Sequence, residues 1–467
     1  MEATQKAAGE TPQRPWWIAA VAFAFCCFVF AAAWPERGAR GLRRGLGMAF
    51  PLALLGIQYA CWRLLRSGQL PSRRTLWMCV LLMASAALVI PAFHSSDLYA
   101  YAQAGRIQTT YEANPYVRLP SDLPGFDRDP YFTTTWRDTP CVYGPVFALV
   151  ARGTVALAGD DAAAARWLFR LWNVVLLALL VGWLLRWHTQ GREAQVAAWL
   201  LASSPLLLLH FVGNGHNDLW MTVPLVGAFL ALRAERPLLV LPLLALATAV
   251  KFVALLTLPF FLLGLIRRHG LARTGTSFVL ALATGLLLSA PFLSDLGAFR
   301  FEEIRRALGR PASSIVANVM LLTDEPGAPW PTVGSVQRIL HLLVVAGLLV
   351  WQLRAQQGQL RRAPERRAES TLAAATNALL LVLAVASPTW APWYLGLLLP
   401  LGLALPPDSL TRHLTWGLSL SWTLAFTPLG RIRDFDALLL TLPVCVWALC
   451  AHLSRGRERT PGGPART

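Results

Sequence analysis

The chain has 467 residues, of which 55% are hydrophobic and only 14% charged, and its mean hydropathy is +0.48. A soluble domain carries roughly 25% charged residues, so this composition excludes a soluble globular protein. The formal charge of +17 does not mark a nucleic-acid binder, because most of it sits in short connections between apolar blocks, where membrane orientation requires it.

The first apolar block, residues 17–34, follows Lys6 and Arg14 and ends in Trp34-Pro35-Glu36. That is a poor small-residue cleavage site, so the block reads as a span and not as a signal peptide. Further blocks at 75–93, 174–187, 238–266, 277–293, 340–353 and 437–453 approach the roughly 20 residues a helix needs to cross about 30 Å of hydrocarbon. The expectation is an all-α, polytopic membrane helix bundle of about fourteen spans. They begin near residues 17, 44, 75, 165, 194, 218, 237, 253, 276, 335, 371, 392, 413 and 436. Six of the seven cysteines fall in apolar blocks and Cys141 in a polar loop, so no disulfide framework is implied.

The positive-inside rule assigns the connections to sides. Arg63, Arg66, Arg73 and Arg74 fall on the cytoplasmic side, as do Arg186 with Arg192, Arg233 with Arg236, and Arg267, Arg268 and Arg273. Arg354 to Arg367 and the C-terminal arginines join them, whereas Arg37, Arg40, Arg43 and Arg44 land outside. The scheme requires the segment 142–158, which opens with Pro145 close by, to lie at the interface and not to cross. The chain then divides into N-terminal spans (1–92), an extracytoplasmic loop with interfacial helices (93–158), core spans (159–293), a second extracytoplasmic loop (294–334), and C-terminal spans with a basic cytoplasmic tail (335–467).

Three places carry chemistry. Asp97 follows His94, Ser95 and Ser96 at the exit of a span and is one of six acids in residues 93–143. It reads either as a helix cap or as a base held at the membrane surface. Lys251 is one of only two lysines and interrupts the apolar stretch 238–266, which suits two short helices meeting there. An ionisable residue in such a stretch faces a cavity or partner, so Lys251 is either a snorkelling lysine or a phosphate ligand. Gly213-Asn214-Gly215-His216-Asn217-Asp218 offers more hydrogen-bonding side chains than the N-cap it also resembles requires. Tyr99, Tyr101, Tyr111, Tyr116 and Trp136 suit an interfacial belt and a sugar platform equally. Asp127-Arg128-Asp129 reads as a solvated turn, and no Walker loop, zinc-ligand spacing or Gly-x-Ser-x-Gly occurs.

At these places the sequence resembles the GT-C superfamily of membrane glycosyltransferases, and is most similar to the polyprenol-phosphate-mannose-dependent alpha-(1→6)-mannosyltransferases of bacterial envelopes. The resemblance is carried by Asp97-Leu98-Tyr99-Ala100-Tyr101 with Gly105, Asn114-Pro115-Tyr116, Trp136, Thr139 to Pro145, Gly215 to Asp218, and Ala249-Val250-Lys251. It implies an inverting transferase moving a sugar, mannose by family likeness, from a polyprenyl-phosphate donor to an envelope glycan or glycolipid. The active site would face away from the cytoplasm of a bacterial cytoplasmic membrane. Asp97 would be the catalytic base, Lys251 and Arg106 would hold the donor phosphate, and Tyr101, Asn114, Tyr116, Trp136, Tyr143, His216, Asn217 and Asp218 would line the substrates. No spacing requires a cofactor, and a divalent cation is left open. A transporter or flippase of a lipid-linked sugar is the rival class, for which the interruption at Lys251 has no counterpart elsewhere in the chain.

Overall fold

A computed structural model describes residues 12–34, 40–92, 95–188, 191–298, 300, 335–386, 390–424 and 440–450. His94, Arg37, nearly all of the second expected exterior loop and residues 427–436 lie outside them. Every regular element among the described residues is helical. Among the described residues five helices are long and apolar enough to cross a membrane, six if the bent pair Gly191–Ala202 with Pro205–Gly213 counts as one span. Large apolar side chains such as Phe25, Leu286 and Leu287 point outward from these helices, the pattern of a surface solvated by lipid. The protein is an integral membrane protein.

Chain order positions the site. Helices α1 (Arg14–Ala33), α2 (Arg40–Arg66) and α3 (Arg73–Leu88) form an N-terminal group. The buried Arg170 of α6 (Ala162–Trp187) donates to the carbonyls of Leu88 and Ile90 at 3.3 and 3.2 Å. A cation on these unpaired carbonyls secures the exit of α3, from which α4 (Asp97–Thr109) begins. Next, α5 (Pro145–Ala158) packs along α4. Its 14 residues span about 21 Å, short of the hydrocarbon thickness.

After α7 (Gly191–Ala202) the chain bends, and residues Leu208–Gly213 widen into a π-helical turn. Two further helices follow, α8 (Asp218–Arg233) and α9 (Pro237–Thr248). Helix α9 ends just before Lys251, whose backbone is extended (φ −144°, ψ 130°), and the chain resumes as a 3-10 segment, Phe252–Thr257. The interruption expected at Lys251 is therefore present. The following α10 (Leu258–Ser289) breaks at Gly270 and joins two expected spans into one bent element. The described C-terminal helices are α11 (Ser335–Arg362), α12 (Arg367–Leu381), α13 (Leu395–Leu403), α14 (Leu410–Ser421) and α15 (Leu440–Cys450).

Candidate active site

The turn between α7 and α8 is built to hold polar groups where the bundle is most buried. Gly215 has φ +74°, a conformation that suits glycine, and it faces the side chain of Leu98, next to Asp97. Asn173 of α6 donates to the carbonyls of Phe211 and His216 at 2.7 and 2.9 Å and so ties down both ends of the turn. His216, Asn217 and Asp218 are each 1% exposed or less.

The loop before α5 is pinned to the break at Lys251. Gly144 N–H donates to the Val250 carbonyl at 3.0 Å, and Val146 N–H to that of Ala249 at 2.9 Å. A Cβ on Gly144 would lie 2.3 Å from the Ala249 carbonyl oxygen, so only glycine permits this approach. As a result the Tyr143 ring faces Lys251, with Nζ 5.7 Å from its centroid, in cation–π range.

Four segments thus converge. The Tyr143 hydroxyl donates to Asp97 Oδ2 at 3.4 Å, and His216 Nδ1 lies 3.5 Å from the same oxygen. Lys251 Nζ donates to Asp218 Oδ1 at 2.8 Å. Tyr101 is fully buried and meets Tyr143 edge-on at 5.0 Å. Burial raises the pKa of Asp97, but the hydrogen bond and charge of His216, with Lys251 and Ser95, outweigh it and hold the carboxyl below its usual range. Asp97 is thereby kept ionised while its side chain remains 21% exposed.

The cluster also holds polar groups without partners. Among the described residues, His216 Nε2, the Asn217 amide and Asp218 Oδ2 are buried and make no hydrogen bond. Unmet polar groups of this kind cost about 1–3 kcal/mol each, so a cluster of them marks a candidate binding site.

Not all expected site residues join this cluster. Arg106 lies nine residues along α4 from Asp97, about 13 Å by helical rise. There it bonds Asp129 at 2.9 Å and Asp160 at 2.7 Å and stacks on Tyr131, so its charge is already matched inside the loop. Asp129 departs from the expected solvated turn for the same reason, because its side chain is 7% exposed and also accepts from Tyr111. The Trp136 indole bonds Ser96, the residue before Asp97, and the Asn114 amide bonds the Phe292 carbonyl. The Tyr116 hydroxyl donates to the Tyr143 carbonyl at 2.8 Å. The polar atoms of these three residues shape the loop, whereas His216 Nε2, the Asn217 amide and Asp218 Oδ2 stay without a partner among the described residues.

Sequence reasoning missed Trp393 and Tyr394. The Trp393 ring stacks on His216 at 4.8 Å and 18°. Tyr394 follows it, its ring 6.5 Å from that of Trp393. An aromatic pair before α13 gives no local signal of this, because its partner lies nearly 180 residues earlier in the chain.

A family profile described as "Alpha-(1->6)-mannopyranosyltransferase, N-terminal domain" matches residues 18–267, more than half of the chain and every element of the cluster except Trp393 and Tyr394. The chain belongs to this family. It is 30% identical over 276 residues to alpha-(1->6)-mannopyranosyltransferase A of Mycobacterium tuberculosis, covering 55% of this chain and 52% of that protein. It is 33% identical over 205 residues to a probable alpha-(1->6)-mannopyranosyltransferase of Mycolicibacterium smegmatis, covering 42% and 35%. With alpha-(1->6)-mannopyranosyltransferase A of Corynebacterium glutamicum, identity is 26% over 413 residues, or 80% of this chain and 79% of that one. The match thus spans about half the length of the tuberculosis relative and about a third of the smegmatis one.

Proposed function

We propose that the protein is an inverting mannosyltransferase that moves mannose from a polyprenyl-phosphate donor to a cell-envelope glycan or glycolipid. In this reading the chain carries about fourteen spans, and the site opens on the extracytoplasmic side of a bacterial cytoplasmic membrane. The relatives' names support mannosyl transfer, and the arginine distribution supports the sidedness. The observation that carries the reading is the ionised Asp97 beside a buried cluster with unmet hydrogen-bonding groups and a lysine.

The chemistry follows from that arrangement. The acceptor oxygen attacks the anomeric carbon as Asp97 takes its proton. The bond from that carbon to the phosphate oxygen breaks, and its electron pair leaves on the polyprenyl phosphate, so the anomeric centre inverts. A phosphate is already a good leaving group, so no second protonated carboxyl is needed, unlike glycosidases. Lys251 keeps two N–H bonds beyond the one it gives Asp218 and would stabilise the charge growing on the phosphate. His216, Asn217 and Asp218 would hold sugar hydroxyls. An apolar cavity of about 320 Å³, lined by Tyr116, Tyr143, Gly144, Phe252 and Phe292, adjoins Tyr143 and would take the first isoprene units.

The test is incubation of purified protein with several polyprenyl-phosphate sugars and an extract of envelope glycolipids, followed by mass analysis. A glycolipid heavier by one hexose, formed from the mannose donor, is the expected product; the same assay with a chelator reads any need for a divalent cation. Movement of donor across the bilayer without a new glycosidic bond would replace this reading with a transporter. The transporter is not favoured, because the relatives are named as transferases.

A further inference from the structure

The opposite end of the bundle holds a second site. Helix α3 has its C-terminus against Gly213, where the turn that carries His216 to Asp218 begins, and its N-terminus, at Arg73, about 24 Å away by the rise of its 16 residues. At that far end α2 finishes at Arg66 and α7 begins near Arg192. A cavity of about 380 Å³ opens there, lined by Arg66, Arg192, Arg412 and one carboxylate, Glu193. The buried Arg412 forms an ion pair with Glu193 and donates to the Leu405 carbonyl at 2.9 Å, so this pair is electrically neutral. Arg66 lies over the Trp62 ring at 5.1 Å, and Arg192 reaches only the Leu65 carbonyl, at 3.4 Å. Among the described residues neither has a carboxylate partner, and the pocket keeps two positive charges.

A second cavity, of about 430 Å³, continues from the first between α2, α14 and α15 and is nearly all apolar. The two share Trp62, Trp416 and Trp447, whose rings form a chain with 6.0 Å steps from Trp62 to Trp416 and from Trp416 to Trp447. Tryptophans gather at the level of lipid headgroups, so the junction sits where hydrocarbon gives way to water. In the apolar wall Gln58 is 2% exposed, and both atoms of its amide lack a partner. The sequence of features from one end to the other is cationic, aromatic, then apolar with one hydrogen-bonding amide.

We infer that this is a binding site for an anionic phospholipid, with its phosphate between Arg66 and Arg192 and one acyl chain in the groove past Trp62 and Trp416. Guanidinium groups match phosphate oxygens in geometry, and basic pockets between spans at the membrane surface select anionic headgroups. The Gln58 amide supplies the hydrogen bond an ester carbonyl accepts. The site is separate from the transfer site in position and in chemistry, so its test does not depend on the proposed reaction.

Native mass spectrometry of the detergent-purified full chain, titrated with dioleoyl phosphatidylglycerol or dioleoyl phosphatidylcholine, reads it directly. Phosphatidylglycerol is expected to bind more tightly than phosphatidylcholine. R66Q/R192Q should weaken phosphatidylglycerol about thirtyfold and leave phosphatidylcholine unchanged. R66K/R192K, which keeps the charge, should retain the preference. Equal affinity of the wild-type chain for both lipids would overturn the proposal, and that comparison needs no variant. So would undiminished phosphatidylglycerol binding by R66Q/R192Q, or its displacement by inorganic phosphate at the same concentration.

Discussion

Lys251 Nζ lies 2.8 Å from Asp218 Oδ1, and that carboxylate has no exposed surface. One of only two lysines in the chain therefore neutralises the innermost acid of the site and also presents its remaining N–H bonds to it. Removing one partner of a buried pair leaves the other charge stranded, at a cost of about 3–5 kcal/mol. Lys251→Met should lower the thermal midpoint, and adding Asp218→Asn should recover part of the loss. Transfer should stay low in the double variant, because the phosphate has still lost its cation. Restored donor turnover there would confine Lys251 to a structural role.

Asp97→Asn keeps the size of the side chain and removes its basicity. A positioned base contributes about a hundredfold to ten-thousandfold, so turnover should fall by that factor, with a slightly lower midpoint because the ionised carboxylate also stabilises the fold. Wild-type turnover would remove Asp97 from the reaction.

The lowered pKa of Asp97 fixes the direction of one pH effect. A depressed carboxyl is still mostly ionised at the ordinary carboxylate pKa, so the acid limb due to Asp97 lies below that value. By the same linkage the stabilisation from its ionised form is present above the unfolded pKa and is lost as pH falls through the folded one. His216→Gln removes the largest of the groups that lower the pKa and leaves only Lys251 and Ser95 against burial, so the limb should move upward. A limb unmoved in the rate profile would detach His216 from Asp97.

Gly144→Ala would drive a Cβ to 2.3 Å from the Ala249 carbonyl oxygen and 2.6 Å from its carbon, both backbone atoms that cannot swing away. The loop should lift off residues 249–250, parting Tyr143 from Lys251, with transfer lost and the midpoint reduced. Gly153→Ala on α5 meets nothing within 4 Å and should be neutral or stabilising by up to about 1 kcal/mol. Equal behaviour of the two variants would refute the close approach.

Arg106→Gln separates loop anchoring from donor binding. Its pair with the exposed Asp160 contributes little, but that with Asp129 is largely shielded from water. Limited proteolysis of the 117–137 loop should quicken while the KM for donor holds. A raised donor KM with an intact loop would return Arg106 to the phosphate.

The sequence by itself determined the helical membrane class, the break at Lys251 and the identity of Asp97, His216, Asn217 and Asp218 as candidates. Apolar block length reports on the bilayer directly, and a charge inside such a block is conspicuous wherever the helix goes. Only the tertiary structure decided which groups face one another. It set Lys251 on Asp218, turned Arg106 to Asp129 and Asp160, spent the polar atoms of Trp136, Asn114 and Tyr116 on the loop, and laid Trp393 over His216. These pairings join segments far apart in the chain. They depend on how close-packed helices meet, and neither hydropathy nor spacing along one segment encodes that.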